Sequence, residues 1–229
     1  MSALDPIFDD VDAVLFDLDG TLVQYRRSPA ALLSIAFHTV GIKPLFDVDA
    51  YQDRFDSMLE ETVSIDELRA RCFADLAAAA GFERTIGRKV ARAFADERDH
   101  TNVDRCPGVG PLFDAINASG RTTAIVTNGP PAAQRQKLLG SEIDADTVVY
   151  AGTDTAAKPD PEPFRSVCST LDVALDRTVH IGDSFRSDVR GAHAAGIRSI
   201  FVGDPHAIPE AGPTPSRTVQ SLKELVSTT

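Results

Sequence analysis

Five short apolar runs punctuate the chain, and four of them stop at a small cluster of polar residues. Ala13-Val14-Leu15-Phe16 runs into Asp17-Leu18-Asp19-Gly20, and Thr122-Thr123-Ala124-Ile125-Val126 into Thr127-Asn128-Gly129. Val148-Val149-Tyr150 is the third run. Val179-His180-Ile181 leads to Gly182-Asp183, and Ser199-Ile200-Phe201-Val202 to Gly203-Asp204. The runs are continuous rather than alternating, which predicts strands buried on both faces. Between them the apolar positions switch to helical spacing. Gly108 to Ser119 carries Val109, Leu112, Phe113 and Ile116 on one face, and Gly120 suits the left-handed residue that closes a helix. Further helices are predicted over Pro131 to Leu139, Pro161 to Leu171, and Ser187 to Ala195 before Gly196. Strand and helix alternate from Gly108 onward, the pattern of a parallel α/β sheet.

The segment from Arg26 to Arg105 breaks that alternation and reads as all-helical. Ser28-Pro29 opens one helix and Gly41 closes it, and Asp49 to Val63 fits a second. Ser64-Ile65-Asp66-Glu67 is a capping-box pattern. It opens a third helix with Ile65, Leu68, Cys72, Phe73 and Leu76 on one face, stopping at Gly81. Ile86, Val90 and Phe94 mark a fourth. An insertion of about 80 residues is too long for a loop and reads as a second domain. The expected division is a core over 1–25 and 106–229 and a helical insert over 26–105, with hinges near Gln24–Arg27 and Arg105–Gly108. Asp204 to Ser216 is a Pro-rich loop, and Leu222 to Val226 a short terminal helix. There are no internal repeats or low-complexity tracts.

Composition narrows the function classes. With 229 residues and 43% hydrophobic content the chain can bury a core without disulfides or structural metal. No stretch approaches the roughly 20 apolar residues of a membrane span. The first twelve residues carry Asp5, Asp9, Asp10 and Asp12, which is unlike the basic start of a signal peptide. Cys72, Cys106 and Cys168 form no CxxC pair, so a reducing, cytoplasmic setting is expected. A net charge of −11 disfavours a nucleic-acid polymer as partner. The acids are 25 Asp against 9 Glu, and the bases 18 Arg against 5 Lys. Acidic, Asp-rich, Lys-poor chains resemble proteins of salt-loving organisms, whose carboxylate surfaces repel themselves at low salt. A GC-rich genome also enriches Asp, Ala and Arg, so the bias has two readings. Residues 26–105 carry a net −2 and the remainder −9. The helical insert is therefore the less repulsive region for an anionic substrate, although charge pairing on helix surfaces gives the same balance.

Four polar clusters fall where open parallel sheets place their sites, after the ends of strands. Asp17 and Asp19 are two residues apart and point the same way if the strand continues. Close carboxylates repel unless a cation or proton lies between them. A turn or helix cap is the plain alternative for such a pair. Thr127-Asn128-Gly129 offers a hydroxyl, an amide and backbone N–H groups ahead of a helix, which suits an oxyanion or phosphate, or equally an ordinary turn and cap. Lys158 is one of few lysines in an Arg-rich chain and precedes Pro159-Asp160-Pro161, which suggests a compact point charge at that place. Gly182-Asp183-Ser184-Phe185-Arg186-Ser187-Asp188 brings two more acids, the second of which could be a first-turn helix acid. His180, in a buried strand, reads as a core histidine rather than a base.

Together, in this order, these clusters resemble the four motifs of the haloacid dehalogenase-like hydrolases, and the resemblance covers the whole chain. Asp17-Leu18-Asp19-Gly20-Thr21 matches the first motif, DxDGT. The insert is similar to the family's helical C1 cap, as in phosphoglycolate phosphatases. The resemblance implies a Rossmann-like parallel α/β core with an inserted all-helical cap domain. It also implies a Mg²⁺-dependent phosphatase that hydrolyses a small phosphate monoester through an aspartyl-phosphate. Asp17 is then the nucleophile. Asp19 is the general acid and then base, and it offers its backbone carbonyl to Mg²⁺. Thr127, with backbone groups near Leu18 and Asn128, binds the phosphoryl oxygens, and Lys158 neutralises charge there. Asp183 is a direct metal ligand, and Asp188 binds or positions a metal water, giving Asp17, Asp19, Asp183 and Asp188 as the metal set. The cap is expected to exclude water and supply specificity.

Three other readings share the motifs: a phosphomutase of the β-phosphoglucomutase kind, a 2-haloacid dehalogenase, and a catalytically silent binder. The dehalogenases lack the second acid and need no metal, so Asp19 and Asp183 count against that reading. Silent binders usually lose a motif acid, and none is lost here. Gln24 stands where many relatives carry an acid, with Arg26 and Arg27 beside it. Gln134 and Lys137 after Thr127-Asn128-Gly129 are similar to a pattern in nucleotidase-like and sugar-phosphate members. Phosphoglycolate, nucleotides and sugar phosphates stay open as substrates, and the chain is expected to be a monomer or homodimer.

Overall fold

The computed structural model describes residues 3–58 and 65–227. The chain forms two compact units, one built from the chain up to Tyr25 and from His100 onward, the other from Arg26–Asp99. In the first unit, β1 (Ala3–Leu4) is followed by β2 (Ala13–Phe16) and β3 (Val23–Tyr25). The helical unit holds α1 (Pro29–Val40), α2 (Val48–Asp56), α3 (Ile65–Ala79) and α4 (Arg84–Asp96). The first unit resumes with β4 (Val103–Arg105), α5 (Val109–Ala118), β5 (Thr122–Asn128), α6 (Pro131–Ser141), β6 (Thr147–Ala151) and α7 (Glu162–Leu171). It ends with β7 (Thr178–Gly182), α8 (Arg190–Ala195), β8 (Arg198–Val202), β9 (Arg217–Val219) and β10 (Val226–Ser227).

All five sequence-predicted strands are present. With β9 they form one six-stranded sheet, order β6-β5-β2-β7-β8-β9, with every neighbouring pair parallel. The continuous apolar runs have their reason in the packing. In β2, Val14 and Phe16 face a cluster with Val109, Leu112 and Ile116 of α5, while Leu15 faces another with Phe164 and Val167 of α7 and Ala192 of α8. Both faces of the strand are covered, so neither tolerates a polar side chain. The chain goes from β2 to β5 and β6 on one side, then crosses to β7 on the other. Asp17 therefore leaves the sheet at its topological switch point, where such sheets form ligand crevices.

The sixth strand, β9, follows the Pro-rich loop and was not signalled by its three residues. Residues 100–105, expected within the insert, lie with the first unit, where β4 pairs antiparallel with β3. The helix expected from Ser187 begins earlier, with a wide π-type turn over Phe185–Val189 that runs into α8. The predicted terminal helix is a 3₁₀ turn over Leu222–Leu225.

In the helical unit, Ser28 accepts from the Ala31 N–H to cap α1, and Gly41 ends it at φ +77°. Helix α2 covers the first part of the helix expected over Asp49 to Val63. The capping-box residue Ser64 and the end of that helix lie outside the described residues. The core of the unit is aromatic: Tyr51, Phe73 and Phe94 meet edge to face at centroid distances of 4.9 to 5.9 Å. Helices α3 and α4 pack backbone to backbone at Gly87, where a Cβ would come 2.1 Å from the Phe73 carbonyl oxygen and 2.6 Å from Ala74 Cα. Neither atom can rotate away. Gly87→Ala is expected to destabilise the unit by about 1–3 kcal/mol, the usual cost of overpacking. A thermal melt checks this, and an unchanged midpoint would show that the two helices slide apart freely.

Candidate active site

Asp17 follows the last residue of β2, and its N–H still donates to the Ile181 carbonyl, extending the β2–β7 ladder by one bond. That bond fixes the backbone from which the side chain projects. Asp17 is 8% exposed, and Lys158 Nζ lies 2.7 Å from its Oδ1. Lys158 follows β6, is itself buried, and also donates to Asp188 Oδ1 at 2.6 Å. One ammonium thus bridges two buried carboxylates. Asp188 accepts twice more, from His180 Nε2 at 2.9 Å and from the Ser184 N–H at 3.0 Å. Asp183 sits more openly after β7 and accepts from Thr21 Oγ1 at 3.1 Å.

The same groups are electrostatically perturbed. Burial pushes the Asp17 carboxyl up to about 7, working against the attraction of Lys158 and helped by the charge of Asp188. Burial also works to raise Asp188, but Lys158 and His180 prevail and hold it well below the usual carboxylate range. Lys158 is lowered by burial and raised more by Asp17 and Asp188, so it stays an ammonium. Loss of solvent and the charge of Asp188 raise Asp183. Burial lowers His180, which keeps its imidazole neutral, so Nε2–H donates to Asp188.

Carboxylate oxygens of Asp17, Asp183 and Asp188 all lie within 4.8 Å of one another. Three hard oxygen donors at this spacing are the set that a small divalent cation such as Mg²⁺ takes. The backbone is shaped around them. At Gly20, φ is +81° and a Cβ would lie 2.1 Å from Asp183 Oδ2; at Gly182 it would lie 2.3 Å from Asp188 Cγ. Only glycine lets both acids come this close to the main chain.

A shared direction of Asp17 and Asp19 is expected only if the strand continues; β2 ends at Phe16, and the two carboxylates take different partners. Asp19 Oδ1 and Oδ2 each lie 2.7 Å from Lys137 Nζ, and Oδ2 also accepts from Gln134 Nε2 at 2.9 Å. Its carboxylate is outside the three-aspartate group. Thr127, at the end of β5, is buried and accepts from Gln134 Nε2 at 2.8 Å. The amide of Asn128 is engaged at both ends with the Lys158 backbone: Nδ2 donates to the carbonyl at 3.0 Å and Oδ1 accepts from the N–H at 2.9 Å. What Asn128 offers a ligand is therefore its backbone, while its side chain fixes the loop that carries Lys158. Gln134, Lys137 and His180 are the site residues that the strand-end clusters did not contain.

The sequence matches the haloacid dehalogenase-like hydrolase family over residues 11–196. It is 31% identical to a phosphoglycolate phosphatase of Rhodospirillum rubrum over 199 residues, covering 83% of this chain and 78% of that protein. It is 32% identical to a phosphoserine phosphatase of Thermus thermophilus over 150 residues, covering 62% of this chain and 59% of that protein. Among solved structures, a HAD hydrolase of Bacillus subtilis, bound to magnesium, superposes with a TM-score of 0.74 at 22% identity, covering 94% of this chain and 96% of that one.

Proposed function

The chain belongs to the haloacid dehalogenase-like hydrolases, and on that premise we propose that it is a Mg²⁺-dependent phosphatase of a small phosphate monoester. The observation that carries this reading is one buried lysine bridging Asp17 and Asp188 beside Asp183. A nucleophilic carboxylate, a fixed positive charge and a hard-oxygen metal set then share one crevice. Its relatives named for phosphoglycolate and phosphoserine support the class of substrate.

In this reading an Asp17 oxygen attacks phosphorus, and the bond to the leaving oxygen breaks. Asp19 gives that oxygen its proton. Asp19 then takes a proton from water, whose oxygen bonds phosphorus and releases phosphate and the free Asp17 carboxylate. Lys158, with its position set by Asp188 and by the Asn128 clamp, offsets the charge of the phosphoryl oxygens. Thr127 and the backbone N–H groups near Leu18 and Asn128 receive those oxygens. Asp17, Asp183, Asp188 and the Asp19 carbonyl would hold Mg²⁺, which lets an anionic carboxylate approach an anionic phosphate. Helical residues 26–99 act as a substrate-selecting cap domain, and residues 1–25 and 100–229 as the catalytic core. The setting is cytoplasmic and the chain a monomer or homodimer; no helix among the described residues is long and apolar enough to cross a membrane. The acidic, Asp-rich surface is an adaptation to high salt.

Phosphate release from 2-phosphoglycolate, phosphoserine, nucleoside monophosphates and sugar phosphates tests this, with Mg²⁺ or with EDTA, in low and in molar KCl. Release is expected only with Mg²⁺ and faster in molar KCl. Equal release in EDTA would remove the metal from the reading. Folded protein that releases nothing would remove the phosphatase, and faster turnover at low salt the halophilic adaptation.

A further inference from the structure

Asp19 is held by two side chains of α6 that the reaction above does not use. Gln134 and Lys137 are three residues apart, so they share one helix face. Both are buried, at 1% and 6% exposure, whereas the Asp19 side chain is 43% exposed. Lys137 Nζ contacts both carboxylate oxygens, and Gln134 Nε2 contacts Oδ2. The same Nε2 reaches Thr127 Oγ1 and the Asn128 carbonyl, each at 2.8 Å, so one amide ties Asp19 to the end of β5. The Lys137 ammonium also lies 5.2 Å from the centroid of the Tyr25 ring.

Holding α6 in place does not require this pair. At its far end, a Cβ on Gly140 would lie 2.1 Å from the Thr101 carbonyl oxygen, so the helix packs directly on backbone there. Arg105 of β4 donates to the Ser141 carbonyl at 2.6 Å and to the Glu142 carbonyl at 2.5 Å. A helix docked this firmly is a rigid mount. A buried lysine on it, with its stem packed away and its head on an exposed aspartate, is built to fix that aspartate.

We propose that Gln134 and Lys137 are positioning residues that hold the Asp19 carboxyl at the leaving-group oxygen. The inference rests on the phosphatase reading and adds to it a dependence on the leaving group. As the Asp17–phosphorus bond forms and the bond to the leaving oxygen breaks, that oxygen takes the Asp19 proton. A departing alkoxide needs this proton, and a p-nitrophenolate leaves without it. A misplaced Asp19 therefore penalises alkyl esters selectively in the first half-reaction. It slows attack by water in the second half-reaction whatever the ester was.

The two halves separate in steady-state kinetics, because kcat/KM reports only the steps up to the first irreversible one. Lys137→Met, Lys137→Arg and Gln134→Leu are assayed on 2-phosphoglycolate and p-nitrophenyl phosphate at saturating Mg²⁺, with circular dichroism to confirm folding. For Lys137→Met, kcat/KM on 2-phosphoglycolate is expected to fall about 100-fold, the lower range for general acid catalysis. On p-nitrophenyl phosphate it stays within a few fold, kcat falls for both esters, and Lys137→Arg recovers part of the loss. Gln134→Leu gives the same selectivity at smaller size and decides the matter if Lys137→Met does not fold. Equal losses on both esters, or no loss, from an active parent would overturn the positioning role alone. If another alkyl ester of the panel is turned over faster by the parent, it replaces 2-phosphoglycolate, and a parent inactive on every ester of the panel and on p-nitrophenyl phosphate would overturn the phosphatase reading and this inference with it.

Discussion

Asp17→Asn is expected to lower turnover by at least about 10⁴-fold, the scale of losing a covalent nucleophile, and to leave the fold intact. The substitution keeps the shape of the side chain, and the amide oxygen can still accept from Lys158, which lies 2.7 Å away. It also removes a carboxylate whose charge burial already disfavours, pushing it up to about 7, so the ion pair that is lost was held against a desolvation cost. Lys158 keeps Asp188 as its counter-ion. The melting temperature is therefore expected within a few degrees of the parent. Two measurements check the argument: phosphate release at saturating Mg²⁺, and acid-quenched capture of phosphorylated protein, present in the parent and absent in the variant. Turnover in the variant near the parent rate would remove Asp17 as nucleophile.

The strand ends were legible because buried parallel strands leave a signal that survives without structure: an apolar run that stops abruptly at polar residues. Asp17, Thr127 and Asp183 stand just beyond such runs, and Lys158 follows the third run after a loop. The partners that set their geometry were not legible. Lys137 meets Asp19 across 118 positions of sequence, and Gln134 across 115. Their spacing after Thr127-Asn128-Gly129 was visible as a pattern, but nothing in the pattern says which acid the helix face meets. His180 looked like core, and it is buried, yet its imidazole donates to Asp188. Burial and a role at the site are compatible, and a strand pattern reports only the first. Strands β3, β4 and β9 have three residues each, too few for any periodicity to show. Gln24 and Asp104 pair at the middle of β3 and β4, where polar residues mask the ladder.

Removal of Lys158 is expected to damage stability and catalysis together, with a pH dependence that separates this lysine from an ordinary core residue. Lys158→Met leaves Asp17 and Asp188 buried and without their shared cation. Breaking a buried ion pair from one side costs about 3–5 kcal/mol. At about 2–4 °C per kcal/mol for a chain of this size, the midpoint in EDTA should fall by roughly 10 °C at pH 8. In the parent, Asp188 is depressed, so its contribution is present above the ordinary carboxylate pKa and is lost only in strong acid. Without Lys158 the main influence holding it down is gone, and its carboxyl rises, as Asp17 already does. A carboxyl raised in the folded state binds a proton that the unfolded chain releases. The stability linked to that proton is present at low pH and is lost as pH climbs through the folded pKa. The deficit of Lys158→Met should therefore shrink markedly at pH 5, where both acids can take up protons, and be full at pH 8. Turnover with Mg²⁺ should fall by about 10²–10³-fold, the usual effect of removing a fixed group that stabilises transition-state charge. Thermal melts of parent and variant in EDTA at the two pH values decide the point. A deficit of equal size at pH 5 and pH 8 would mean that Lys158 contributes packing rather than charge, and the bridge between Asp17 and Asp188 would lose its place in the mechanism.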